Sequence, residues 1–249
     1  MKVVKTIQSL LKAIEQLRSS DDDEPLVFRG ETSDARKLLP KSARPEYQGP
    51  DWQLSFDAWE RKARELKKLP ANEWRRLALA QHHGLATPLL DWSSNPLVAA
   101  YFCAGSGTEP ERDGTVFCFK PAFRWDPMQN KGGLAGLKAV LGLTRKRMPY
   151  GVLDIERFSP RQVAQQALFT VHYNETVCMK EEDWPFMHKM DDGKNRTENL
   201  TVLKVPHGSK VRIRRELADL GVTPSTMFPD LDGASEEINR LLRSRARNA

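Results

Sequence analysis

Residues 81–104, QHHGLATPLLDWSSNPLVAAYFCA, decide how the chain is read. The histidine pair His82-His83 is stopped by Gly84, and a short apolar run, Leu89-Leu90, follows. Then come the polar residues Asp91-Trp92-Ser93-Ser94, and Asn95-Pro96 opens a second apolar run from Leu97 to Phe102. This order predicts a helix closed at Gly84, a strand, and a helix capped by Asn95 with Pro96 at its first position. Capping accounts for Asn95 and Pro96. Packing does not ask for Asp91, Trp92 and Ser93 between two apolar elements, and a strand end beside a helix N-terminus suits anions and hydroxyl-rich ligands. Of the two histidines, one is expected to cap its helix and the other to line a cleft.

Upstream, apolar residues at helical spacing predict a helix over 6–18 with Thr6 as N-cap. Leu26-Val27-Phe28 reads as a short strand that delivers Arg29 and Gly30 at its end. An arginine there can offer its planar fork to a phosphate, but a structural Arg–carboxylate pair is the commoner case and the expected one, and the glycine permits close approach of a ligand or backbone. An ordered loop over 38–44, a helix over 52–69 and another from Trp74 complete the first part.

Downstream, Asp113-Gly114 reads as a turn and 115–119 as a strand buried on both faces. Residues 126–150 are Gly-rich and basic but carry neither a Gly-x-Gly-x-x-Gly nor a Walker pattern, and are expected to form a surface loop. Further strands are expected at 152–155, 167–172, 177–180 and 200–205, then a helix over 210–220, a turn over 227–233 and a last helix over 235–245. With no repeat and no interdomain linker, the expectation is one α+β domain over 1–249. Its parts are an N-terminal helix (1–24), a core (25–233) and a C-terminal basic helix (234–249).

The balance of 39 Lys and Arg against 33 Asp and Glu, a net charge of +6, favours an acidic partner such as nucleic acid, though a basic solvated surface accounts for it equally well. The cysteines are Cys103, Cys118 and Cys178, each in an apolar run, without the spacing of a disulfide framework or zinc site. They read as small buried hydrophobes in a reducing compartment. No apolar run is long enough to span a bilayer and none at the start reads as a signal region, so the expectation is a cytoplasmic protein without membrane contact. No Ser-His-Asp, Cys-His or Glu-His metalloprotease pattern stands out, and no metal is expected.

Phe28-Arg29-Gly30 resembles the tripeptide for which the FRG domain family is named. The resemblance continues through Leu39-Pro40-Lys41, Gln81-His82-His83-Gly84, Leu89-Leu90-Asp91-Trp92-Ser93, Asn95-Pro96-Leu97 and Ala100-Tyr101-Phe102. It extends to Arg161, Gln165 and Phe169-Thr170, and to Met227-Phe228-Pro229-Asp230-Leu231. The chain departs from the family pattern at Ala86-Thr87-Pro88, where the family tends to Pro-Thr-Arg, and at Ala167, where it tends to Gly.

A second resemblance is to ADP-ribosyltransferases, which set an arginine on their first core strand, a Ser/Thr-rich strand before an alanine-containing helix, and a Glu or Gln pair before a later strand. Arg29-Gly30, Trp92-Ser93-Ser94 with 99–102, and Gln165-Gln166 follow that order. The resemblance implies a split, twisted sheet with helices around it, and NAD as co-substrate. It gives catalytic roles to Arg29, Ser93 and Gln165, and NAD contacts to Arg29, Gly30, His82, Asp91, Trp92, Ser93 and Tyr101. Arg29 would hold the pyrophosphate or ribose, Ser93 the nicotinamide side, and Gln165 would stand where a catalytic glutamate is usual. A neutral glutamine cannot stabilise developing positive charge, so Asp91, Glu31 or Glu175 must supply it if the chain is a catalyst.

The function expected on this basis is transfer of ADP-ribose to a macromolecule, RNA being the acceptor that the basic balance suggests, in a toxin or anti-phage defence effector that an antitoxin partner would restrain. Two alternatives stay open: a non-catalytic nucleotide- or partner-binding module, and a ribonuclease-like hydrolase using His82 with Asp91.

Overall fold

The computed structural model describes residues 2–18, 26–34, 38–47, 52–105, 111–121, 123–125, 151–171 and 200–246. The strands are β1 (Lys2–Val3), β2 (Val27–Glu31), β3 (Leu89–Ser93), β4 (Gly114–Phe119), β5 (Phe123–Trp125), β6 (Gly151–Leu153), β7 (Ala167–Val171) and β8 (Leu200–Val205). The helices are α1 (Ile7–Glu15), α2 (Trp52–Leu66), α3 (Glu73–His82), α4 (Pro96–Ala104), α5 (Pro160–Ala164), α6 (His207–Asp219), α7 (Pro224–Met227) and α8 (Leu231–Ala246). The fold is α+β, as the mixture of periodicities predicts.

All eight strands join one open sheet in the order β1-β8-β4-β2-β3-β7-β6-β5. Pairing is antiparallel except at the outer pairs, β1 with β8 and β5 with β6. The pairing is uneven. β2 and β4 share five register pairs, and β3 and β7 share five, but the described contact between β2 and β3 is the single pair Phe28↔Ser93. The two halves of the sheet therefore meet at one point and diverge beyond it.

Alternation along the strands sorts the core into layers. Phe28, Val116, Cys118 and Leu203 pack under α1, α4 and α6, while Leu89 and Phe169 pack under α2 and α3. The other face holds Val27, Leu90, Trp92, Phe117, Phe119 and Leu168, with Leu38 over them. Trp92 is 3% exposed, and its indole Nε1 donates to Thr170 Oγ1 at 2.8 Å, which satisfies its polar atom inside the core.

Phe-Arg-Gly divides its labour along β2. Phe28 fills the core under α4, Arg29 turns toward β3, and Gly30 lets α4 lie directly on the strand. A Cβ at Gly30 would stand 1.8 Å from the Ala99 carbonyl oxygen and 2.7 Å from the Cys103 nitrogen. Gly30 and the α4 backbone at Ala99 and Cys103 form one close contact.

Several local expectations hold. Thr6 caps α1 in a capping box with Ser9. Asn95 caps α4 with Pro96 at its first position. His83 is the C-cap of α3, and Gly84 follows at φ +91°. Every residue of β4 is buried. Cys103 and Cys118 are buried, and desolvation pushes both thiols up to about 12, which removes thiolate chemistry at neutral pH.

Other expectations are corrected. The strand carrying Arg29 continues to Glu31, because the rest of β2 pairs with β4. The segment joining the expected strands at 152–155 and 167–172 contains α5, capped by Ser159. The turn over 227–233 is shorter than expected: Met227 ends α7 and Leu231 begins α8, with Asp230 Oδ1 accepting from the Gly233 N–H at 2.8 Å. The expected loop at 126–150, the strand at 177–180 and Cys178 lie outside the described residues. Among the described residues no helix is long and apolar enough to cross a membrane.

Candidate functional site

Where β2 and β3 part, a cleft of about 320 Å³ opens. Its lining comes from β2 (Phe28–Glu31), β3 (Asp91–Ser93), the end of α3 (Ala78, Gln81, His82), α4 (Val98, Ala99, Phe102), α5 with its C-cap (Arg161, Gln162, Gln165) and β7 (Ala167, Phe169), with Arg44 from the first loop.

Arg29 is the hub. Its Nε and Nη2 both donate to Glu31 Oε1, at 3.1 and 2.6 Å, and its Nη1 donates to the Asp91 carbonyl oxygen at 2.8 Å. The side chains are 15% and 6% exposed, so the pair is shielded from solvent. The guanidinium thus spans the split, one side on β2 and the other on β3. Removing one member of a buried pair leaves the other charge uncompensated. Glu31→Gln is expected to lower stability by about 3 kcal/mol in chemical denaturation.

A second network fixes the opposite lip. Gln81 Nε2 donates to Asp91 Oδ1 at 2.8 Å, Thr87 Oγ1 donates to Gln81 Oε1, and the Leu89 N–H donates to Thr87 Oγ1 at 3.3 Å. Lys41 Nζ donates to the Gly84 carbonyl at 2.6 Å, and the Ser42 N–H to the Thr87 carbonyl at 3.3 Å. These bonds give Leu-Pro-Lys and Gln-His-His-Gly a common purpose: the first loop staples the turn after α3, and that turn holds Gln81 against Asp91. The Asp91 side chain is 60% exposed, with Oδ2 at 4.0 Å from Arg29 Nη1.

The far wall is joined to β3 by side-chain latches. Ser93 Oγ donates to the Gln165 carbonyl at 2.7 Å and accepts from the Asn95 N–H at 3.0 Å. Ser94 Oγ donates to Gln166 Oε1 at 2.9 Å, and Gln165 Nε2 donates to the Met227 carbonyl at 3.1 Å. Gln166 sits at φ +45°, a conformation rare for a residue with a Cβ, held from both sides by the contacts to Ser94.

The charges are unequal. Glu31 neutralises Arg29, whereas Arg44 and Arg161 have no ion pair among the described residues; the Arg161 guanidinium lies 4.6 Å from the centre of the Phe228 ring. His82 is held below its usual 6.5, first by burial and then by the positive charge of Arg161. Its neutral form therefore prevails at pH 7, and the imidazole can accept a proton. Because the folded value lies below the unfolded one, the unfolded chain takes up this proton first as the pH falls. The stability associated with neutral His82 is complete above 6.5 and is lost as the pH falls through the folded value. Melting temperature is expected to decline on acidification through this window, and His82→Gln to flatten that part of the decline.

Of the residues expected at a site, Arg29, Gly30, His82, Asp91, Trp92, Ser93 and Gln165 all border this cleft. Trp92 has its ring in the core layer with Phe119 and cannot stack on a ligand. Tyr101 lies outside the cleft, lining a separate groove with Phe102 and Phe228. Glu175 is outside the described residues. Sequence reasoning gave no role to Arg44, Arg161 or Gln81. Gln81 stands in the His-His-Gly motif, but nothing in sequence distinguishes Arg44 from the other basic residues. Among the described residues no group of three or more His, Cys, Asp or Glu could hold a metal ion.

Fold and cleft together define a mixed α+β domain with a mostly antiparallel open sheet and a cleft lined by both polar and apolar side chains. The FRG domain family model matches residues 24–112, from just before β2 to just before β4, and over that segment the chain carries an FRG domain. Comparison with curated proteins and with solved structures gives no match.

Proposed function

We propose that the chain is an ADP-ribosyltransferase that cleaves NAD in the cleft between β2 and β3 and passes ADP-ribose to a macromolecular acceptor. The observation that carries this reading is the parting of the sheet at Phe28↔Ser93, which brings Arg29, Asp91 and the Gln165 segment to the walls of one cleft. Phe102 and Phe169 add apolar lining for an aromatic ring. The net charge of +6 suits a polyanionic acceptor such as RNA.

In the reaction the bond between the nicotinamide nitrogen and ribose C1′ breaks, and its electron pair returns to the ring and discharges the pyridinium. The sugar becomes oxocarbenium-like. Asp91, exposed at the lip and oriented by Gln81, supplies the negative charge that Gln165 lacks. The acceptor oxygen then bonds to C1′ and releases its proton to the neutral His82. Gln165, anchored through its Nε2, keeps its amide oxygen for a ribose hydroxyl.

A second reading, a nucleotide-binding module without turnover, is favoured by one observation: the Ser93 hydroxyl and Gln165 Nε2 are already engaged within the fold. Incubation with radiolabelled NAD and either total RNA or total protein separates the two. Transfer of label that Asp91→Asn abolishes supports the transferase, whereas saturable NAD binding with neither transfer nor nicotinamide release supports the module.

A further inference from the structure

The ADP-ribosyltransferase resemblance gives Arg29 to a pyrophosphate or ribose, whereas the residues themselves favour a structural ion pair with a carboxylate. The structure shows that pair, with Glu31. Three of the five N–H groups of Arg29 are spent on Glu31 and the Asp91 carbonyl, and Glu31 cancels its charge at 2.6 Å. A neutralised, largely buried guanidinium adds little attraction for an anion. Among the described residues, the positive charge of the cleft without an ion-pair partner stands elsewhere, on Arg44 at the end of the first loop and Arg161 in α5.

We infer that Arg44 and Arg161 form a two-arginine clamp for the diphosphate of a nucleotide, and that Arg29 is a positioning residue that sets the opening between β2 and β3. This inference rests on the reading of the cleft as a nucleotide site and names the groups that recognise the ligand.

Three features point the same way. Arg44 and Arg161 are both half-buried at the cleft and lack an ion pair among the described residues, and each carries a planar fork suited to phosphate oxygens. The Phe228 ring, 4.6 Å from the Arg161 guanidinium carbon, helps to fix that side chain by a cation–π contact, which uses none of its hydrogen-bond donors. Neutral His82, its proton affinity reduced partly by Arg161, adds a hydrogen-bonding group without a third charge. Two such cations from separate elements match a ligand with two linked phosphates better than one with a single phosphate. The first loop is itself anchored, through Lys41 to Gly84 and Ser42 to Thr87, so Arg44 is presented from a fixed support.

Titration calorimetry with ADP, AMP, adenosine and inorganic pyrophosphate tests the clamp. The parent chain is expected to bind ADP at least about tenfold more tightly than AMP, and pyrophosphate measurably by itself. Arg44→Gln and Arg161→Gln are each expected to weaken ADP by about tenfold or more while leaving adenosine within about twofold. Arg29→Gln is expected to lower the melting temperature, and wherever it remains folded to keep the preference for ADP over AMP. Equal affinities of the parent for ADP and AMP, or unchanged ADP binding by both Arg44→Gln and Arg161→Gln, would overturn the clamp. Loss of the ADP preference in a folded Arg29→Gln protein would overturn the assignment of Arg29. ADP binding with this pattern but no nicotinamide release from NAD would leave the clamp standing and remove the transferase.

Discussion

Gly30→Ala is expected to yield little folded protein, and what folds should be less stable by at least about 3 kcal/mol. The added methyl would stand 1.8 Å from the Ala99 carbonyl oxygen, 2.7 Å from the Cys103 nitrogen and 2.8 Å from the Ala99 carbonyl carbon. All three are backbone atoms of α4, so no rotamer change relieves the overlap and the helix itself must move off β2. That helix follows directly from Ser93 and Asn95, whose bonds hold the far wall of the cleft. The same substitution at Gly208, in the first turn of α6, meets nothing within 4 Å. Gly208→Ala should therefore leave the melting temperature unchanged or slightly raised, since alanine is the better helix former. A Gly30→Ala protein that melts with its parent would show that α4 does not lie on β2 as described.

The second large effect is expected on catalysis. Asp91→Asn preserves size and can still accept from Gln81, so folding should be unaffected, but the negative charge at the lip is gone. If a carboxylate there stabilises the oxocarbenium-like sugar, nicotinamide release should fall by about 100-fold or more, with little change in NAD affinity. Glu31 cannot substitute, because its carboxylate is held by Arg29 beneath the surface. Parent-like turnover by Asp91→Asn would remove Asp91 from the chemistry.

Much of this cleft was legible in the sequence because local rules and site geometry coincide there. Asn95-Pro96 announced α4, Gly84 announced the end of α3, and polar residues left over after capping and packing fell where the sheet parts. Phe28-Arg29-Gly30 announced its strand, although pairing with β4 carries β2 one residue past Gly30. Trp92 borders the cleft from β3, but alternation along that strand turns its ring to the opposite face from Asp91 and Ser93. Tyr101 lies outside the cleft for a related reason: it follows Ala100 on α4, and the face that meets the cleft carries Val98, Ala99 and Phe102. Arg44 was silent, and Arg161 was marked only by the family resemblance and without a role, because their lack of an ion pair among the described residues depends on chain segments far apart in sequence. That Arg29 pairs with a carboxylate was legible as the common fate of such an arginine, but the identity of the partner, Glu31, was not. Residues two apart on a strand share a face, but only the folded cleft shows both side chains withdrawn from solvent and the guanidinium reaching across to β3.

If NAD is cleaved where β2 and β3 diverge, chromatography will detect nicotinamide released from NAD by the purified chain, with total RNA or total protein as acceptor. Release is predicted for the parent and for Gly208→Ala, with little or none for Asp91→Asn. Absence of nicotinamide from the parent with either acceptor, under conditions where the chain is folded and binds NAD, would contradict NAD cleavage and leave a nucleotide-binding module in its place.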